Sequence, residues 1–167
     1  MSAQPGAEIP IIRVMRPSDL DAVTAIEQRT YEFPWGRAIF SDCLMAEYLC
    51  VVLDNGTHLI GYTIVSTAAA EGHILNLCVD KDMQRHGYGQ QLLDYVLDYV
   101  RDKRIKRLFL EVRPSNEAAI ILYTCAGFDS LGVRKGYYKA VGGNEDALVL
   151  VREFSSDEFS SDEFSSD

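Results

Sequence analysis

The stretch from His73 to Val100, HILNLCVDKDMQRHGYGQQLLDYVLDYV, restricts the fold more than any other part of the chain. An apolar, strand-like run passes through a polar loop and two glycines, Gly87 and Gly89, into a helix. Leu93, Val96, Leu97 and Val100 recur at helical spacing, while Gln90, Asp94, Asp98 and Arg101 fall on other faces. A helix start leaves backbone N–H groups unpaired and carries the positive end of the macrodipole. Glycines at that point let an anion come close to the backbone, so the loop is expected to hold phosphate.

The other elements are read from periodicity and turn chemistry. IPIIRVMRP is a first strand, and SDLDAVTAIEQRTY is a helix with Ser18 as its expected N-cap. WGRAIFSDCLMAEY is a second helix. YLCVVLD and THLIGYTIVSTAA form a hairpin in which Asn55 and Gly56 are expected to supply the positive φ angles. After the glycine loop and its helix come a strand, IKRLFLEVR, and a helix from Ser115 to a glycine stop at Gly127. Two last strands, FDSLGVRKGYYKA and EDALVLVREF, are separated by VGGN. The order β-α-α-β-β-β-α-β-α-β-β predicts an α/β sheet covered by helices.

With 167 residues, 47% of them hydrophobic, the chain can form one domain with a sizeable core. That domain is expected over residues 1–153. The last fifteen residues repeat EFSSD three times. Residues 154–167 therefore read as an acidic, low-complexity tail, disordered or docked on a partner, whose removal should not affect the fold.

Charge and composition exclude several classes. The net charge is −9, of which the tail carries −5, leaving −4 for residues 1–153. Nucleic-acid binding needs clustered Lys and Arg and is not expected. No apolar run reaches the length of a membrane span, and the N-terminus lacks the basic and apolar regions of a signal peptide. Cys43, Cys50, Cys78 and Cys125 have no CxxC spacing, so reduced thiols, a cytoplasmic location and no bound metal are expected.

A strand, a Gly-x-Gly, a helix and a later strand ending in Glu111 also imitate a dinucleotide-binding unit. Against that reading, Leu92 stands where a third glycine belongs, and the glycines follow a long polar loop instead of a tight turn. A Walker loop is excluded by the missing lysine and Ser/Thr.

The segment QRHGYG, residues 84–89, resembles the Q/R-x-x-G-x-G/A signature of the GCN5-related N-acetyltransferase (GNAT) superfamily. The element order resembles that superfamily over residues 9–153. The resemblance implies a GNAT fold, a mixed and mostly antiparallel sheet of about seven strands with helices on both faces. It also implies acetyl-CoA as cosubstrate. By position, Leu77, Cys78 and Val79 would present backbone to the pantetheine arm. Arg85, His86, Gly87, Tyr88, Gly89 and Gln90 would surround the pyrophosphate. His86 has the plainer reading of an exposed loop residue.

LFLEVRPSNEAAIILYTCAGF is the second constellation. Glu111 ends an apolar strand, where a carboxylate is costly unless it is paired or used. Asn116, Ile120 and Tyr123 share a helix face. A salt-bridged Glu111, a capping Asn116 and a core Tyr123 are the plain alternatives. Acetyl transfer needs a neutral amine and a protonated leaving thiolate, for which a carboxylate and a phenol are suitable types. AIEQRTYEFPW, LEVRPSNEAAIILYTCAGF and RKGYYKAVGGNEDALVL resemble, within the superfamily, the bacterial ribosomal-protein-alanine N-acetyltransferases (RimI). That resemblance implies Glu111 as proton acceptor, Tyr123 as proton donor and Asn116 as an acetyl-CoA ligand. The implied acceptor is the N-terminal alanine of small-subunit ribosomal protein bS18. Lys139 stands where that family would have proline, and the tail is foreign to its pattern. Phe33, Trp35, Tyr137 and Tyr138 are expected to wall the acceptor site, the two tyrosines on opposite faces of a strand. An acetyltransferase for lysine or a small amine, and a non-catalytic acyl-CoA-binding module, are the other readings.

Overall fold

The computed structural model describes residues 9–162, with side chains as far as Phe159. Among these residues the elements follow in the expected order. They are β1 (Ile11–Val14), α1 (Leu20–Thr30), α2 (Arg37–Met45), β2 (Leu49–Asp54), β3 (Leu59–Ala68), β4 (Glu71–Val79), α3 (Tyr88–Asp102), β5 (Arg107–Val112), α4 (Glu117–Cys125), β6 (Asp129–Ala140) and β7 (Gly143–Glu153). The seven strands lie in the order β1-β2-β3-β4-β5-β7-β6. The β4–β5 ladder is parallel, from Glu71↔Arg107 to Ile74↔Leu110, and the ladders β1–β2, β2–β3, β5–β7 and β6–β7 are antiparallel. A parallel step needs a crossover, which the α3 segment supplies. No helix among the described residues is long and apolar enough to cross a membrane.

The chain folds as two compact units. One is built on Asn76–Tyr95 and the chain up to Val65, the other on Ser66–Leu75 and the chain from Val96 onward. In the first unit, Val51, Leu53, Ile60 and Leu92 are fully buried, with Leu77, Val79, Met83 and Tyr88 packed against them. Gly61 brings β3 close to β4: a Cβ placed there would lie 2.5 Å from the Cys78 carbonyl oxygen. The entry to α1 differs from expectation. Asp19, not Ser18, receives the Arg16 backbone N–H at 2.7 Å, because Arg13 fixes its carboxylate from the other side at 2.8 and 2.9 Å. The β2–β3 turn uses Gly56 at φ +90°, while Asn55 acts through its side chain, accepting the Thr57 and His58 N–H groups at 2.9 Å. Cys43, Cys50 and Cys78 are buried free thiols.

In the second unit β5 alternates as a half-buried strand should, with Leu108, Leu110 and Val112 buried between Arg107, Phe109 and Glu111. Asn116 caps α4 by accepting the Ala119 N–H at 3.2 Å, and Gly127 ends it at φ +93°. Cys125, on the last turn of α4, is exposed, unlike the other three cysteines. The chain expected to form the tail begins packed. Phe154 is 6% exposed and lies under the guanidinium groups of Arg101 and Arg152, 5.8 and 4.5 Å from its ring centre. A 3₁₀ segment covers Ser156–Asp162, and Glu158 pairs with Arg152 at 2.9 Å. Phe164 and the rest of the third repeat lie outside the described residues.

Candidate active site

The loop expected to hold phosphate lies in the first unit. Its start is pinned by Arg29, which reaches Asp80 at 2.6 Å, and by Gln84, which donates to the Val79 carbonyl at 3.1 Å. Arg85 at φ +68° and Gly87 at φ +81° put two left-handed residues just before α3. Alternation of this kind turns successive N–H groups to one side and forms an anion-binding hollow. For Arg85 the conformation costs about 1–2 kcal/mol, a cost that a glycine avoids. Nothing lies within 4 Å of a Cβ built on Gly87, so the backbone there is open to a ligand. These features fit the diphosphate of CoA. His86 is exposed, as in its plainer reading, and stacks on Tyr88 at 5.8 Å.

Leu77, Cys78 and Val79 form the end of β4 beside this loop. The Leu77 carbonyl accepts from the Tyr31 hydroxyl at 3.3 Å. Burial pushes the Cys78 thiol up to about 11 and the Cys50 thiol up to about 12, so neither is an anionic nucleophile at neutral pH. Glu27 is a feature that sequence inspection passes over. Only 2% exposed, it accepts from the Tyr62 hydroxyl at 2.5 Å, the Trp35 N–H at 2.9 Å and the Asn76 amide at 3.0 Å. A buried carboxylate is tolerable only with such donors, and here it ties α1 to β3, β4 and the loop before α2. Trp35 packs on Phe40 at 5.3 Å, and Phe33 is exposed.

The second unit holds the expected proton carriers. Burial pushes the Glu111 carboxyl up, but His73 and Arg134 outweigh it and leave it below the ordinary carboxylate range. His73 Nε2 contacts one Glu111 oxygen, and Arg134 donates to the other at 2.9 Å. Arg134 also covers the Tyr137 ring at 4.4 Å, and Arg113 covers Tyr138 at 4.4 Å. Tyr123 is buried edge-on to Phe128 at 5.4 Å, and burial followed by the nearby Tyr138 raises its phenol. The tyrosine pair departs from expectation. The β6–β7 register shifts between Arg134 and Tyr138, with Gly136 at φ +63°, and this bulge brings the two rings within 4.8 Å of each other. The structure thus gathers Glu111, Tyr137 and Tyr138, with Tyr123 beside Tyr138, inside the second unit. Leu77–Val79, Arg85–Gln90, Phe33 and Trp35 belong to the first unit, and Asn116 to the second.

Residues 20–128 match the Acetyltransferase (GNAT) family. This chain belongs to the GNAT family. Among GNAT relatives, the [ribosomal protein bS18]-alanine N-acetyltransferases of Salmonella typhimurium and Escherichia coli are each 35% identical over 144 residues, 86% of this chain and 97% of theirs. The crystal structure of the Escherichia coli ribosomal-protein-S18-alanine N-acetyltransferase superposes with a TM-score of 0.83 at 34% identity, covering 88% of this chain and 95% of that one. Ard1 from Thermoplasma volcanium superposes at 0.80 with 26% identity, covering 88% and 99%. The seven-stranded mixed sheet is therefore a GNAT sheet, and the dinucleotide-binding reading is set aside.

Proposed function

We propose that this GNAT enzyme transfers the acetyl group of acetyl-CoA to a protein N-terminal α-amine, that of the alanine opening ribosomal protein bS18. The reading is carried by the 35% identity to bS18-alanine N-acetyltransferases along 97% of their length. When bound, acetyl-CoA supplies an acetyl group activated as a thioester. Leu77–Val79, Arg85–Gln90 and Asn116 are the residues proposed to hold it, mostly through backbone N–H groups, with that of Val79 polarising the carbonyl. Glu111 takes the amine proton through a water as the C–N bond forms. Tyr123 gives its proton to the sulfur as the C–S bond breaks. An α-amine has a pKa near ~8, about 2.5 units below lysine, so a carboxylate working at neutral pH favours it.

Phe33, Trp35, Tyr137 and Tyr138 are proposed to bound the acceptor pocket. The excess of acidic residues suits a basic protein terminus as substrate, and a cytoplasmic enzyme with no metal completes the proposal. The test offers labelled acetyl-CoA and a panel of peptides to the purified protein. An Ala-starting peptide with a basic continuation should be acetylated at its α-amine. The same peptide blocked at that amine but carrying free lysines should stay unlabelled. Faster labelling of the blocked peptide, or of spermidine, overturns the acceptor and favours a lysine or small-amine acetyltransferase.

A further inference from the structure

Glu111, in its proposed role as base, must shed once per turnover the proton it takes from the amine. Its own access to bulk solvent is poor. The side chain is 10% exposed, and one oxygen is occupied by Arg134 at 2.9 Å. The second oxygen meets Nε2 of His73, whose side chain is 33% exposed. The parallel register sets His73 level with Phe109, two residues before Glu111. The imidazole therefore touches the carboxylate on one side and water on the other. Other groups acting on the carboxylate are Arg134 and Tyr138, both from β6. Neither an arginine nor a raised phenol exchanges protons readily at neutral pH. Imidazole does.

We infer that His73 is the proton exit of Glu111. After amine deprotonation the carboxylic acid gives its proton to Nε2, forming imidazolium beside a carboxylate. The imidazolium then releases its Nδ1 proton to water or buffer, and tautomer exchange through solvent frees Nε2 for the next turnover. Only O–H and N–H bonds change, and no redox partner is needed. The inference rests on Glu111 being the base.

His73→Gln keeps a hydrogen-bonding group at this position but cannot relay a proton. In dilute buffer its kcat should fall by about 10²-fold, a typical worth for a proton-transfer group, with KM for acetyl-CoA unchanged. Added imidazole should restore the rate in a saturable way, whereas wild-type kcat should be indifferent to buffer concentration. His73→Ser, smaller and open to the added base, serves if His73→Gln fails to fold. A purely structural ion pair would give a loss that imidazole does not repair. Full kcat in dilute buffer, or a loss that imidazole leaves untouched, overturns the relay. Glu111→Gln run alongside separates the two ideas. If it is inactive while His73→Gln is normal, only the relay falls. If Glu111→Gln keeps full kcat, the base assignment falls and the relay with it.

Discussion

Two side chains are proposed to move protons, and their surroundings set the protonation state of each. Glu111 is held below the ordinary carboxylate range, so it is ionised throughout the neutral region. Tyr123 is pushed the other way by burial, so its phenol stays protonated throughout the neutral region. Glu111→Gln is expected to lower kcat by about 10²–10⁴-fold, most at acid pH where the amine is fully protonated. Tyr123→Phe should lower kcat with little change in the KM for acetyl-CoA, since its proton matters only as sulfur leaves. Steady-state kinetics from pH 6 to 9 checks both. Asp19 gives a test of stability instead of rate. Its hydrogen bonds with Arg13 hold its pKa below the unfolded value, so its contribution is complete above that value, near ~3.9, and is lost as pH falls through the folded pKa. Asp19→Asn should cost about 1–3 kcal/mol in denaturant titration at pH 7, with the gap closing in strong acid. The sequence exposes Glu111 as an acid ending an apolar strand. It cannot expose His73 or Arg134 as its neighbours, because their approach depends on the β4–β5 register and on where β6 returns.

Elements were legible where one periodicity dominated. The order of strands and helices follows from the apolar pattern, and the α4 stop at Gly127 from glycine's freedom at positive φ. The β6 bulge was not legible, because consecutive tyrosines in a β-rich run look like any other pair, and it is the bulge that puts Tyr137 against Tyr138. Two glycines show how fold and ligand can be told apart. Gly61→Ala would drive a methyl into the Cys78 carbonyl and part β3 from β4, so a loss of about 1–3 kcal/mol in thermal or chemical unfolding is expected. Gly87→Val meets no neighbouring atom, yet it screens the backbone hollow and strains a φ of +81°. That variant should fold, with a lowered Tm, and bind acetyl-CoA far more weakly by calorimetry. Unchanged affinity in the folded variant would remove the phosphate role from the loop.

At the scale of the whole chain, composition alone marks everything after Glu153 as dispensable, since three identical acidic repeats offer no periodic apolar face. Position changes that for the first of them and the start of the second. β7 delivers Phe154 to the two arginines, and Glu158 follows onto Arg152. A chain ending at residue 153 should therefore melt several degrees below one ending at residue 162, because a buried Phe side chain is worth about 3–5 kcal/mol. Equal melting temperatures would return the whole segment to the role of a free tail. The same terminal strands separate two kinds of inheritance. Glu111 and Gly132 both face Val149; on β6 the ladder runs regularly only from Gly132 to Arg134, between two register shifts, and the tyrosines stand at the second shift. The β5–β7 pairing that carries Glu111 makes no use of residues 135–138. On the proposed roles, a lineage with this architecture could exchange one acceptor for another by changes at the second shift while Glu111 keeps its pairing with Val149.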